Sequence, residues 1–191
     1  MEVSLLRGYL LVGLLAHKAV WEVLKRRQPN RLTPPKRSPK VRLLSAAKVV
    51  ILAAIVVQTV AAEFLPILRD PAALRIIGAA IYTLGLLTAL TARLQLGRNW
   101  SDIEKASLRE NHALVAHGLY RWVRHPIYAG DVLLLLGLEL ALNSWAAAGV
   151  VALALYVRRQ AMSEERALLE TLPGYDQYYR RTARFLPFLP V

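Results

Sequence analysis

Residues 72–94 read AALRIIGAAIYTLGLLTALTARL, an apolar run whose only charged side chains are Arg75 and Arg93. A helix of about 20 residues crosses the roughly 30 Å of hydrocarbon in a bilayer, so this run is long enough to span a membrane. Four further apolar segments lie at about Leu5–Leu24, Leu43–Leu65, Pro126–Leu142 and Trp145–Val157. The sequence therefore predicts an all-α integral membrane protein with about five transmembrane helices.

The last two apolar segments are short and are separated only by Asn143 and Ser144. That separation predicts a tight helical hairpin over residues 126–157. The charged sequence after residue 157 is predicted to continue the fifth helix out of the membrane. Between the first two spans, Pro29–Pro39 holds four prolines, which break helices, so residues 25–42 are predicted to form a basic extended connector.

Lysine and arginine are distributed unevenly between the two sides of this five-span arrangement. Residues 25–42, 93–126 and 158–191 hold 20 of the 25 basic side chains, all on one side. Excess Lys and Arg in short loops marks the cytoplasmic side of a membrane. The N-terminus is therefore predicted outside and the C-terminus inside, in the plasma or inner membrane if the chain is prokaryotic.

Composition excludes several classes of function. The net charge of +12 comes without a base-reading motif or a basic surface interleaved with aromatic residues, so nucleic acid is not an expected partner. The chain has no cysteine, which excludes disulfides, thiolate ligands and cysteine nucleophiles. His112, His117 and His125 are five and eight residues apart, which does not place them on one helical face, and no metal site is expected.

Hydrogen-bonding side chains are concentrated in two segments on the predicted cytoplasmic side, and the first leads into the fourth helix. Gly118 suits a turn with positive φ, and Pro126 suits the first turn of a helix, where its missing N–H costs nothing. Tyr128 and Asp131 then lie one turn apart near the start of that helix. An acid inside a span is expensive and usually functional, which makes Asp131 a candidate functional residue.

The second polar segment runs from Arg158 to Tyr179 and contains the adjacent acids Glu164 and Glu165. Side chains of neighbouring residues on a helix point about 100° apart. Only one of the two acids can therefore readily face the fourth helix.

These motifs, in this order, resemble those of the isoprenylcysteine carboxyl methyltransferase family, within a wider group that includes membrane phospholipid methyltransferases. The resemblance rests on His112-x-Leu114-Val115-x-x-Gly118-x-Tyr120, Arg124-His125-Pro126-x-Tyr128-x-Gly130 and Glu164-Glu165-x-x-Leu168. It covers about Gly97–Pro190, half of the chain, whereas the first spans match only in hydropathy.

The resemblance implies a cytoplasm-facing pocket for S-adenosylmethionine, closed by the C-terminal segment, beside a lateral opening for a lipid-like acceptor. The side chains that it implies in contact with this cofactor are His112, Leu114, Val115, Tyr120, His125, Pro126, Tyr128 and Glu164. Residues 1–95 would then form a unit of three transmembrane helices. Residues 96–191 would form the cofactor-binding catalytic region, with the hairpin and a cytoplasmic C-terminal segment.

One position departs from the pattern of the family that the sequence resembles. That family usually carries an arginine four residues before the matching glutamate, where it is linked to the acceptor, and here Gln160 stands in that position. A one-residue shift would bring Arg159 into its place. Glu164 and Arg159 are therefore the candidate catalytic residues. Glu164 would hold the cationic end of the cofactor or take a proton, and Arg159 would orient an anionic acceptor.

Two other functions stay open at this point. Distant sterol reductases share a similar C-terminal helical arrangement, so an NADPH-dependent membrane reductase is one alternative, and a non-catalytic membrane protein that retains the scaffold is another. If the chain transfers methyl groups, its acceptor could be a prenylated thiol-acid, an alkylated phenol or a phospholipid amine. The expected partners are that lipophilic acceptor, entering from the bilayer, and membrane lipids.

Overall fold

A computed structural model of the chain describes residues 2–27, 39–61, 65–97 and 113–187. Over these ranges the regular structure is helical, which confirms the all-α prediction. The α-helices are α1 Val3–Arg26, α2 Pro39–Ala61, α3 Ala72–Leu96, α4 Pro126–Ala141, α5 Ala147–Thr171 and α6 Tyr175–Arg181. A single turn of 3-10 helix, Gly118–Arg121, precedes α4.

Helices α1 and α3 are both long and apolar enough to cross a bilayer, and α2 contains a shorter apolar stretch, Val49–Val60. Helix α4 has 16 residues, or about 24 Å at 1.5 Å per residue, which is less than the hydrocarbon thickness. Helix α5 has 25 residues and continues well beyond Val157 into charged sequence. The described residues thus contain two helices that pass as spans on length and composition, and the five-span arrangement stays a prediction.

Helices α3 and α4 run antiparallel with their backbones in contact, through glycines spaced seven residues apart on each helix. A Cβ atom at Gly137 would lie 2.1 Å from the backbone nitrogen of Tyr82, and one at Gly78 would lie 2.2 Å from that of Ala141. Glycine is therefore required on both sides of this contact. Small residues that let backbones approach closely are typical of helix pairs in membranes, where packing rather than water exclusion drives association.

Helix α1 is joined to this pair through the ring of Tyr82. The Tyr82 hydroxyl, buried in the bundle, donates a hydrogen bond of 2.6 Å to the carbonyl oxygen of Leu10. Gly13 leaves the space for that ring, since a Cβ there would lie 2.4 Å from the Tyr82 hydroxyl oxygen. The same apolar core contains Leu134 and Leu138 of α4, so α1, α3 and α4 share one core.

The connections before α3 and after α4 meet at one end of the bundle. Asn143 lies there in the left-handed region, at φ 57°, which asparagine tolerates better than most residues. Its side chain accepts a hydrogen bond from the Leu68 N–H at 3.0 Å and donates one to the Leu68 carbonyl at 2.8 Å. Helix α4 therefore ends at this connection and begins at the opposite end of the bundle, which we call the polar end.

We expect Gly137→Ala to lower the free energy of unfolding by about 1–3 kcal/mol or more, because the added methyl group would meet the α3 backbone and force the helices apart. Thermal unfolding in mild detergent, followed by tryptophan fluorescence, measures the change. Gly149→Ala on α5 is the matched control, since a Cβ there would meet no atom within 4 Å, and it should leave stability unchanged or raise it by up to about 1 kcal/mol, the helix-propensity gain of alanine over glycine. Equal melting temperatures for the two variants would contradict the close contact.

Candidate active site

The segment that leads into α4 is docked on the end of α3 by a glycine. Gly118 has a φ of 60°, which confirms the turn predicted there. A Cβ at Gly118 would lie 2.3 Å from the side-chain amide of Gln95, whose oxygen accepts the Leu119 N–H at 2.8 Å. Only a glycine with free φ therefore lets the turn close on Gln95. The ring of Tyr120 is buried as a result.

The C-terminal segment runs beside the entrance to α4. Pro126 is the first residue of α4, as predicted, and His125 is its N-cap residue. The backbone N–H of His125 donates to the carbonyl of Arg184 at 3.0 Å, and that of Arg124 donates to Ala183 at 2.8 Å. Two backbone hydrogen bonds thus fix residues 182–187 alongside the start of the helix.

Four side chains, Arg124, His125, Glu165 and Arg184, form a buried ion cluster at this point, here called the Glu165 cluster. The carboxylate of Glu165 accepts hydrogen bonds from Nε of Arg124 at 2.8 Å, from Nε2 of His125 at 3.1 Å and from Nη2 of Arg184 at 2.9 Å. The side chains of Arg124 and Glu165 are 0% and 3% exposed. This carboxylate therefore ties together the entrance to α4, helix α5 and the C-terminal segment.

The balance of burial and hydrogen bonding decides the charge of Glu165. Burial acts to raise the pKa of its carboxyl, but the donors on His125, Arg184 and Arg124 outweigh burial and lower it to about 2. The same contact raises the pKa of Arg184. Glu165 is therefore a carboxylate at every physiological pH.

Arg124 also anchors the last helix. Its Nη1 donates to the carbonyl oxygens of Tyr179 and Thr182, and its guanidinium lies 4.2 Å from the centroid of the Tyr179 ring. On the same helix, the Tyr178 hydroxyl donates to the carbonyl of Tyr120 at 2.7 Å. Burial raises the pKa of both Tyr120 and Tyr178, so their hydroxyl groups stay protonated. Helix α6 is thereby held against the segment that precedes α4.

Beside this cluster, Glu164 is held in a different way. The Tyr128 hydroxyl donates to Oε2 of Glu164 at 2.9 Å, and Nδ1 of His125 lies 4.0 Å from the same oxygen. The His125 ring stacks on that of Tyr128 with 5.2 Å between centroids. The Glu164 side chain is 42% exposed, against 3% for Glu165. Of the two adjacent acids, Glu164 is the one accessible to a ligand, and it is the one that faces a residue of α4.

The other predicted site residues lie in the segment that leads into α4 and in the first turn of that helix. Leu114 and Val115 are half-buried in the irregular stretch before the turn. Val115 packs on an apolar cluster that includes Tyr120 and Ile127. The predicted set brought to the polar end, besides Glu164, is therefore Leu114, Val115, Tyr120, His125, Pro126 and Tyr128. His112 lies outside the described residues.

Comparison with known proteins places the chain in a family. The sequence model described as phospholipid methyltransferase matches residues 74–173, more than half of the chain. The chain belongs to the phospholipid methyltransferase family. This confirms the resemblance drawn from the motifs.

Curated proteins resemble the chain over part of their length. Cobalt-zinc-cadmium resistance protein CzcN of Cupriavidus metallidurans is 37% identical over 111 residues, which are 57% of this chain and 50% of that protein. Protein-S-isoprenylcysteine O-methyltransferase of Schizosaccharomyces pombe is 30% identical over 110 residues, 56% of this chain and 47% of that protein. The chain thus spans about half the length of the curated relatives that it matches.

A solved structure shares the fold. The eukaryotic intramembrane Ras methyltransferase, isoprenylcysteine carboxyl methyltransferase, superposes with a TM-score of 0.62 at 20% identity, over 91% of this chain and 63% of that one. At this identity the likeness shows the fold alone. That protein is described as intramembrane, and helices α1 and α3 of this phospholipid methyltransferase family member are long and apolar enough to cross a membrane.

Arg159 does not join the site in this member of the family. Helix α5 is continuous from Ala147 to Thr171, so no shift in register brings Arg159 toward Glu164. At 100° per residue, Arg159 points about 140° away from Glu164, whereas Gln160 points within about 40° of it. Arg159 is also exposed, and Gln160 is half-buried. A catalytic role for Arg159 stays a prediction that the observed geometry does not support.

Sequence reasoning missed the Glu165 cluster. From the sequence, Arg124 was recognised only as part of the family motif and Arg184 only as one of the basic residues of the C-terminal segment. Glu165 was recognised only as the neighbour of Glu164. One signal was available, since Arg124 directly precedes the His125-Pro126 pair of the motif. The contacts themselves join positions 41 and 19 residues apart, which no local periodicity reveals.

We expect Glu165→Ala to lower the free energy of unfolding by about 3–5 kcal/mol at neutral pH, because it leaves the buried guanidinium of Arg124 without its carboxylate. The cluster also predicts an acid response. Since folding lowers the Glu165 pKa from 4.5 to about 2, its contribution is complete above about pH 4.5 and is lost as the pH falls toward 2. Thermal unfolding in detergent at pH 7, 5 and 3 measures both effects.

Glu170→Ala is the control for this prediction, since Glu170 is an exposed acid on the same helix. It should leave stability nearly unchanged at each pH. A wild-type protein as stable at pH 3 as at pH 7, or a Glu165→Ala variant as stable as the control, would contradict the assignment.

Proposed function

We propose that the chain is an integral membrane methyltransferase that transfers the methyl group of S-adenosylmethionine to a lipophilic acceptor at the cytoplasmic face. Family membership supports methyl transfer as the reaction class. The observation that carries the proposal is the half-exposed carboxylate of Glu164, held by Tyr128 beside the ring of His125. A fixed, accessible anion at the entrance of a membrane helix suits a cationic ligand.

The residues at the polar end fit S-adenosylmethionine in charge and in polarity. The cofactor carries a sulfonium and an ammonium, and Glu164 offers a carboxylate whose second partner, Tyr128, is a neutral donor. Val115, packed beside Tyr120, and the neighbouring Leu114 offer half-buried apolar side chains for an uncharged ring. When bound, the cofactor supplies an activated methyl group, because the sulfonium is already a good leaving group.

The protein then has to orient its ligands and exclude water rather than to activate the methyl group. Glu164 would hold the cationic end of the cofactor, with Tyr128 fixing the rotamer of the carboxylate. His125 would be held in place on one side by Glu165 and on the other by the stack with Tyr128. Residues 182–187 would cover the site, because the Glu165 cluster fixes them against the entrance to α4. Correct alignment of two reactants contributes several kcal/mol to such a reaction.

The proposal includes five transmembrane helices, with the N-terminus outside and the site inside. The uneven distribution of lysine and arginine supports this orientation. The position of the candidate site agrees with it, because His125 and Glu164 lie at the end of the bundle opposite the Asn143 connection. The predicted cytoplasmic segments also include the C-terminal segment that packs against His125.

The acceptor class is the finer part of the proposal. The S. pombe relative is named for O-methylation of isoprenylcysteine, which supports a lipophilic acceptor of prenylcysteine type. The C. metallidurans relative is named for resistance to cobalt, zinc and cadmium, and its name states no acceptor. A lipophilic small molecule that reaches the site from the bilayer is therefore proposed, and prenylcysteine is one member of that class.

We expect S-adenosylmethionine and its demethylated product to bind the purified wild-type protein, and Glu164→Gln to weaken S-adenosylmethionine binding more than tenfold. The substitution removes the anion and keeps the side-chain shape, and tenfold corresponds to about 1.4 kcal/mol. Isothermal titration in detergent, with NADPH as a third ligand, measures this. Glu170→Gln, an exposed acid on the same helix, should bind as the wild type does. Binding of NADPH but of neither sulfur compound would overturn the proposed function.

A second variant tests the hydrogen bond that holds Glu164. We expect Tyr128→Phe to weaken S-adenosylmethionine binding by roughly tenfold, because a hydrogen bond to a charged group contributes about 1.5–3 kcal/mol. Tyr156→Phe, at an exposed tyrosine of α5, is the matched control and should have no effect. Identical affinities for both variants would show that Tyr128 does not position the carboxylate.

A further inference from the structure

A second polar pair lies next to the candidate site, inside segments predicted to span the membrane. Nε2 of His17, on α1, lies 2.9 Å from Oδ1 of Asp131, on α4. The His17 ring stacks on that of Trp21, with 4.0 Å between centroids and 22° between planes. The imidazole is therefore fixed in direction by a carboxylate at one edge and by an indole on one face.

The pair is adjacent to the methyl-transfer site proposed above. Asp131 follows Tyr128 by one turn on the same face of α4, about 4.5 Å further along the axis. Trp21 packs on the apolar cluster of Ala92, Tyr120 and Ile127, which Tyr128 also contacts. The pair therefore lies on the bilayer side of Tyr128, where the polar head of a lipophilic acceptor would arrive.

Neither member of the pair is sealed inside the bundle. The side chains of His17 and Asp131 are 22% and 38% exposed. A pair that only joined two helices would gain most if it were shielded, because polar groups in contact with hydrocarbon are costly. Both side chains therefore keep part of their surface outside the helix contact.

The geometry also sets which nitrogen of His17 can accept a proton. An ionised carboxylate only accepts hydrogen bonds, so Nε2 carries the hydrogen that is donated to Asp131. Nδ1 of a neutral imidazole then holds a free lone pair. This is the arrangement in which a carboxylate orients a histidine as a base.

The cations of the Glu165 cluster bear on whether the acceptor is a carboxylate or a group that must lose a proton. A carboxylate acceptor needs a cation to hold it and no base to deprotonate it. The guanidinium groups of Arg124 and Arg184 both bind Glu165, and the position on the Glu164 face of α5 is Gln160. Among the described residues of this region, a base is thus placed toward the bilayer, and the two arginines of the Glu165 cluster are bound to that carboxylate.

We propose that His17 and Asp131 form a proton-accepting dyad for an acceptor whose nucleophilic atom carries a hydrogen, either a lipid hydroxyl or a lipid amine. This rests on the proposed function and narrows its acceptor class. The O–H bond of a hydroxyl acceptor, or one N–H bond of a protonated amine acceptor, breaks and its proton passes to Nδ1 of His17, which leaves an electron pair on the acceptor's oxygen or nitrogen. The electron pair on the acceptor's oxygen or nitrogen bonds to the methyl carbon, while the carbon–sulfur bond of the donor breaks and leaves its electrons on sulfur. Asp131 stabilises the imidazolium that results.

The test supplies the full-length protein with labelled S-adenosylmethionine and three acceptors that share one prenyl tail and end in a phenol, a primary amine or a carboxylate. We expect the wild type to methylate the phenol or the amine. Comparing these two acceptors identifies whether the methylated atom is oxygen or nitrogen. His17→Gln and Asp131→Asn should each lower kcat for that acceptor at least about 100-fold, as expected for loss of a general base, while the S-adenosylmethionine Kd changes less than twofold. Tyr9→Phe, which removes another hydrogen bond made by α1, should change neither quantity.

A spectroscopic measurement on the wild-type protein does not depend on turnover. The chain has four histidines, so the imidazole ¹⁵N signals of His17 can be assigned by their loss in His17→Gln. We expect a protonated Nε2 and an unprotonated Nδ1 for His17 at neutral pH. A hydrogen on Nδ1 in place of Nε2 would overturn the dyad even if the variants were unstable.

The outcomes separate the dyad from the proposed function. Methylation of the carboxylate acceptor alone, at a rate unchanged by His17→Gln, would overturn the dyad and leave methyl transfer in place. A further outcome is that both dyad variants lose S-adenosylmethionine binding and melt far below Tyr9→Phe. That result would show that His17 and Asp131 only stabilise the contact between α1 and α4, and it would overturn the dyad as well. Failure of the wild type to bind S-adenosylmethionine would overturn the proposed function, and the dyad with it.

Discussion

The backbones of α3 and α4 approach so closely that glycine is required at four positions, and the location of the site follows from that contact. With the two helices fixed, the first turn of α4 lies beside the last turn of α3, where Gln95 receives the Gly118 turn. Tyr120 is thereby buried, and Tyr128 is presented to α5. In hydrocarbon no hydrophobic force would pull the helices together, so this dense backbone packing is what holds the polar end in shape.

Two adjacent glutamates have separate tasks because the helix turns them toward different partners. Glu165 faces three cationic or donor side chains and is sealed, whereas Glu164 faces one tyrosine and is open. Buried ion clusters contribute little more to stability than apolar replacements would, because desolvation offsets the attraction. The benefit of the Glu165 cluster is therefore geometric. By engaging Nε2 of His125, it directs Nδ1 toward Glu164, and by engaging Arg184 it holds the C-terminal segment over the entrance.

The fold class and the start of α4 could be predicted from local features, because apolar length, Pro126 and the positive φ of Gly118 each act over a few residues. The partner of α4 could not, since the glycines of α3 mark a close contact without saying which helix makes it. The Glu165 cluster was also out of reach, because it joins three segments far apart in the chain. Arg159 is a different case. A one-residue shift would bring it into the family pattern, but α5 is unbroken and places Gln160 on the side of Glu164, so the role of Arg159 stays a prediction.

The position of charge along α4 connects these observations to the choice of substrate. Helix α4 presents Tyr128 toward Glu164 and, one turn deeper, Asp131 toward His17, so its first two turns carry both the site proposed for a cation and the pair proposed to accept a proton. The guanidinium groups of Arg124 and Arg184 form ion pairs with Glu165, the neighbour of Glu164. An anionic acceptor at the proposed site would therefore meet the carboxylates of Glu164 and Asp131, while Arg124 and Arg184 are bound to Glu165. A neutral acceptor meets no such repulsion, and its proton has a destination in the same two turns of helix.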